Sequence, residues 1–118
     1  MPSRVLFSIF ALCACFSSAC SSSSDSGGSA TGSTCPSDST LTYQNFGQAF
    51  ASSYCSACHA GREQPNLTTQ AAIVANRDEI DRVAAAGPNA TNTQMPEDGS
   101  VSSDERLKLG EWLACGAP

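Results

Sequence analysis

The apolar residues change pattern along this chain. Val5 to Phe16, VLFSIFALCACF, is a nearly unbroken apolar run. Ser21 to Thr34, SSSSDSGGSATGST, holds no large apolar residue at all. From Leu41 onward the apolar positions recur at helical spacing. Phe46, Phe50 and Tyr54 lie four apart, on one face of a helix over 43–54, with Thr42 as its N-cap. LTTQAAIVA (67–75) predicts a second helix, with Thr68 or Thr69 as cap and Ile73 and Val74 as apolar positions. RDEIDRVAAA (77–86) places Ile80 and Val83 three apart and pairs Asp78 with Arg82 across one turn; Gly87-Pro88 then stops it. Ser102-Ser103-Asp104-Glu105 spells a capping box, Ser102 as N-cap and Glu105 at N3, and Leu109, Trp112 and Leu113 follow at helical spacing. No run alternates as a strand does. The expected fold is all-α, one small helical domain over 35–118.

The segments before it have other uses. Arg4 followed by a short apolar run resembles an export signal, 1–19, and the run is shorter than the ~20 residues that span a bilayer. Small residues and then Cys20 resemble the lipobox of bacterial lipoproteins, whose cysteine becomes the lipidated first residue. Cys15, with Leu12 three before it, is the competing position. The count of cysteines favours Cys20: Cys13 and Cys15 then leave with the signal, and no spare thiol remains in an oxidising compartment. The stretch 20–34 is expected to be a flexible tether.

Charge narrows the partners. The whole chain carries −5, and without Arg4 it carries −6. An acidic surface excludes phosphate-neutralising nucleic-acid binding and suits solubility or a basic protein partner. Composition also shows a thin core. About 84 residues from Cys35, with few large apolar side chains, are marginal for folding alone and call for a staple.

The chemistry concentrates in Ser53-Tyr54-Cys55-Ser56-Ala57-Cys58-His59. Three readings compete. A zinc site needs about four ligands. Beyond the expected signal and lipid site the chain offers only Cys35 and Cys115 besides this motif, and His59 is its single histidine. A thioredoxin-like pair would follow a strand in a βαβ setting, and here an amphipathic helix precedes it. Covalent haem attachment needs two thiols for the vinyl groups, an adjacent histidine for the iron and a sixth ligand from farther along. Met95, followed by Pro96 in a loop rich in Asn, Thr, Pro and Gly, can supply that ligand. It is the only methionine besides Met1. A thioether is a soft donor that raises the potential of low-spin iron. The bland alternative is a methionine filling a core gap.

In order, a helix with Phe50, then Cys55-x-x-Cys58-His59, then Met95-Pro96, then a capped last helix with Trp112 resembles class I c-type cytochromes over about 41–115. The resemblance implies a small cytochrome c fold of three to five helices around one covalent haem c, with Cys55 and Cys58 as thioether anchors and His59 and Met95 on the iron. Phe50 and Trp112 match the family's helix-crossing aromatics, and Gly47 and Ala51 the small residues that let those helices approach. Because the first and last helices cross in this family, Cys35 and Cys115, which flank them, are expected to form a disulfide. Arg62, Arg77 and Arg82 are candidates to meet the haem propionates. The implied role is one-electron transfer with redox partner proteins, by a monomer that needs no small-molecule substrate. It would work in the periplasm or at a membrane through the lipid anchor. The alternatives are a haem sensor or peroxidase-like protein with an open sixth position, and a thiol–disulfide oxidoreductase using Cys55 and Cys58.

Overall fold

The computed structural model describes residues 29–118. The expected signal 1–19, the lipid site at Cys20 or Cys15 and the first part of the tether lie outside the described residues. Thr42 opens the helical part through a reciprocal cap with Asn45, and a π-helical turn, Tyr43–Gly47, runs directly into α1, Gln48–Tyr54. A short α2, Ser56–His59, follows. Thr69 caps α3, Gln70–Ala75, and α4 spans Arg77–Ala84. The last helix, α5, spans Ser103–Ala114, and Ser102 and Glu105 exchange both hydrogen bonds of a capping box. Among the described residues there is no strand beyond one isolated bridge, Ala86 to Thr91. The all-α expectation holds.

The core forms where α1 crosses α5. Phe46, Phe50 and Tyr54 stack as a column, with ring centroids 5.4 Å and 5.0 Å apart. Phe46 meets Trp112 edge-on at 5.8 Å. Gly47 lies under the same indole: a Cβ there would sit 2.3 Å from the Trp112 ring. Ala51, one turn on, is buried, and Trp112, Leu109 and Leu113 bury the facing side of α5. Tyr54 Oη donates to Glu105 Oε1 at 2.9 Å and ties the far end of α1 to the start of α5. The chain end folds back over this frame. Ala117 is fully buried, its amide donates to the Trp112 carbonyl, and Gln70 Nε2 donates to the Ala117 carbonyl. Cys35 and Cys115 are joined with a Cα separation of 4.7 Å.

Three expectations need correction. The helix over 77–86 stops at Ala84, before Gly87-Pro88. Ala85 turns extended, and Ala85 and Ala86 are buried. The carbonyls of the last turn are taken by a distant loop and by Arg106, so no glycine cap is needed. Arg82 pairs with Glu79, Nε to Oε2 at 2.9 Å, while Asp78 lies 3.6 Å from Arg77. The expected tether does not extend to residue 34. Thr31 is fully buried: its amide and hydroxyl donate to the Asp81 carboxylate at 3.0 and 2.7 Å, and Ser29 Oγ adds a third bond at 2.7 Å. Ser33 Oγ donates to the Ala86 carbonyl at 3.1 Å. Polar bonding to a buried carboxylate docks this serine- and glycine-rich strip, which has no apolar side chain to announce it.

Two stability tests follow from this packing. Helix propensity alone favours Ala over Gly by about 1 kcal/mol, whereas overpacking a fixed ring costs about 1–3 kcal/mol. Gly47→Ala is therefore expected to lower the denaturation midpoint of the haem-loaded protein, and a raised midpoint would contradict the crossing. The Glu105 carboxyl is held below its ordinary value, first by the Ser102 hydroxyl, then by Tyr54. The folded chain thus binds fewer protons than the unfolded one. The stability this adds is complete above the ordinary value of 4.5 and is lost as pH falls through the folded one. Glu105→Gln should flatten the fall of Tm as the pH drops through 4.5 and below, and an unchanged slope would refute the linkage.

Candidate haem site

Cys55 is the hinge of the site. It is the C-cap of α1, and its carbonyl accepts from the Cys58 amide at 3.2 Å and from the His59 amide at 2.8 Å. Those bonds wind Ser56–His59 into α2 and put both thiols on one turn. Neither thiol is in a disulfide; Cys55 is half-buried against the core and Cys58 is exposed. Burial pushes the Cys55 thiol up to about 11 from 9.0. That direction is opposite to the activated thiolate of a thiol–disulfide oxidoreductase.

The histidine is oriented by the loop that follows. His59 Nδ1 lies 2.9 Å from the Pro65 carbonyl. A carbonyl only accepts, so Nδ1 carries the proton and Nε2 keeps its lone pair free for a metal. The same loop is closed by Glu63 N to the Cys58 carbonyl at 3.0 Å and by Leu67 N to the His59 carbonyl at 2.9 Å. Arg62 Nη2 donates to the Ala57 carbonyl at 2.9 Å and braces the turn between the thiols.

Beside Cys55 lies a narrow apolar crevice with a cavity volume of only about 10 Å³. Gly47, Phe50, Ala51, Leu67, Ile73, Ile80, Leu109 and Trp112 line it with Cys55. Two free thiols one turn apart, an imidazole with Nε2 released and an apolar cleft against the first thiol fit a flat apolar group bonded through sulfur. A zinc ion is less well served. Cys35 and Cys115 are taken by their disulfide, and among the described residues no three His, Cys, Asp or Glu side chains are grouped to hold a metal.

Met95 sits apart from that turn, on α4 and α5, which also line the cleft. Its amide donates to the Val83 carbonyl at 2.9 Å, and its carbonyl accepts from Arg106 at 2.8 Å. The residue is 36% exposed and lies outside the buried core. Arg77 and Arg82 are engaged with their acidic neighbours. Sequence reasoning missed Pro65 as the partner of His59, and it missed Arg106 altogether. Arg106 was visible as the one cation in the stripe formed with Leu109 and Leu113.

The difference between the two thiols can be measured. In the haem-free chain, with Cys35 and Cys115 oxidised, brief alkylation should label Cys58 well ahead of Cys55, as read by peptide mass mapping. Faster labelling of Cys55 would contradict its burial.

A family model described as cytochrome C oxidase, cbb3-type, subunit III matches residues 44–113, more than half of the chain. The match runs from the π-helical turn to the Trp112 turn of α5 and takes in Cys55, Cys58, His59 and Met95. No curated protein and no solved structure matches. The chain belongs to this family: it carries a c-type cytochrome domain, whose cofactor is covalently bound haem c and whose chemistry is electron transfer with redox partner proteins.

Proposed function

We propose that this protein is a mono-haem one-electron carrier in which Cys55 and Cys58 anchor the haem and His59 and Met95 ligate its iron. The observation that carries this reading is the 2.9 Å contact between His59 Nδ1 and the Pro65 carbonyl, on the same turn as two free thiols. It fixes the tautomer with Nε2 free and holds the ring still. Bound haem supplies a one-electron iron couple. The chain's own contribution is rigidity: α2 sets the thiols and the imidazole, and the loop bonds of Met95 to Val83 and Arg106 set the thioether. Ligands so held by the chain would limit the rearrangement that accompanies electron transfer at a bound haem. Leu67, Ile73, Ile80 and Leu109 keep water off one side of the cleft. Cytochrome c domains are typically extracytoplasmic, and among the described residues no helix is long and apolar enough to cross a membrane. We place the protein outside the cytoplasm, held to a membrane by lipid at Cys20. The Ser/Gly strip before residue 29 is then the tether.

The ligation is tested by Met95→Ala. The variant should keep its covalent haem, lose the methionine–iron charge-transfer band of the ferric form and show a lower reduction potential. An unchanged band and potential would mean that Met95 is not the ligand. A wild-type protein lacking the band would instead favour a sensor or peroxidase-like protein with an open sixth position.

A further inference from the structure

We infer that Arg106 is a positioning residue for the Met95 ligand, a buried guanidinium that latches the methionine loop onto the end of α4; this rests on the proposed ligation by Met95. Arg106 is 2% exposed, and among the described residues no carboxylate lies within ion-pairing distance of it. A buried cation without an anion is costly unless something else compensates it. Here the compensation is backbone oxygen. Arg106 Nη1 donates to the carbonyls of Ala84 at 2.7 Å, Asn92 at 2.9 Å and Met95 at 2.8 Å. Ala84 is the last residue of α4, at the negative end of that helix's dipole, which favours a cation. Asn92 and Met95 belong to the loop. One guanidinium nitrogen therefore joins the end of α4 to the loop that carries Met95.

The loop's other attachments end at the same place. Asn92 N donates to the Ala85 carbonyl at 2.9 Å, Asn92 Nδ2 to the Asp81 carbonyl at 2.9 Å, and Met95 N to the Val83 carbonyl at 2.9 Å. The unfilled carbonyls of the last α4 turn are the loop's docking strip. From α5, the Arg106 side chain bonds both the strip, at the Ala84 carbonyl, and the loop, at the Met95 carbonyl. Removing the guanidinium would leave the buried Ala84 carbonyl, and the part-buried carbonyls of Asn92 and Met95, without their donor when the loop is closed, while the open loop gives its carbonyls to water. The closed state alone loses. An external ligand for the iron must displace Met95, so its apparent affinity is its intrinsic affinity scaled by the open fraction. Loss of the latch raises that fraction.

The test uses the haem-loaded protein and imidazole as the competing ligand. Arg106→Met, similar in length and without donors, should tighten imidazole binding to the ferric iron by at least about tenfold, the size expected for lost hydrogen bonds from a charged group. Arg106→Lys, which keeps the charge and can reach the same carbonyls, should restore much of the wild-type affinity. Leu113→Ala, a core truncation elsewhere on α5, should lower the urea midpoint and leave imidazole affinity unchanged, which separates latching from general loosening. Should Arg106→Met fail to fold, Arg106→Gln answers the same question with a shorter, neutral side chain. Imidazole affinity within about twofold of wild type in the variant that folds overturns the latch. A wild-type ferric spectrum without the methionine–iron band overturns the ligation and the latch together. A wild-type band with unresponsive Arg106 variants overturns the latch alone.

Discussion

The contact of Gly47 with the Trp112 ring governs the rest of the molecule. A Cβ at position 47 would stand 2.3 Å from the indole, so the two helices can be this close only because position 47 has no side chain. That approach buries Trp112, gives Phe46 and Phe50 a partner, and brings Leu109 opposite Cys55 across the cleft. The placement of the first thiol and of the α5 wall of the crevice follows from this crossing. Cys55 ends α1, and Leu109 and Arg106 lie on α5 about one and two turns before the indole.

Little apolar surface supports so much geometry, and the structure compensates with local fastenings. The Cys35–Cys115 disulfide joins positions separated by 80 residues, a closure of a size worth about 4 kcal/mol in the chain-entropy account. The C-terminal turn packs Ala117 against the core and bonds to α3. Residues 29–33 are bound by polar contacts, through Asp81 and the Ala86 carbonyl. Gly110 makes room for Ser33 and Ala86, where a Cβ would come within 2.4 Å of the Ser33 hydroxyl and 2.3 Å of the Ala86 carbonyl. Each fastening lies next to α4 or α5, the helices that carry the methionine loop.

What was legible in the sequence is what local pattern encodes. The capping box at Ser102 and Glu105, the column of Phe46, Phe50 and Tyr54, and the paired thiols before His59 are all set by neighbours within one turn. The close approach of Gly47 to Trp112 came from resemblance to a family, because a helix crossing leaves no periodic trace. The early end of α4 was not legible. Its stop is made by Asn92, Met95 and Arg106, residues 8 to 22 positions beyond Ala84. The docking of Thr31 on Asp81 spans 50 residues and uses only polar atoms. Hydrophobic patterning cannot see such a contact. The Pro65 carbonyl beside His59 was hidden for another reason: backbone acceptors carry no residue identity.

The central claim is the proposal that His59 and Met95 are the residues that would ligate the haem iron. It is tested most directly by proton NMR of the reduced protein with methyl-labelled methionine. The chain has only two methionines, Met1 and Met95. A methionine methyl held over the face of a haem is shifted far upfield by the ring current. The account predicts one methionine methyl singlet well upfield of the protein's other methyl signals. Finding every methionine methyl at its ordinary position would contradict it.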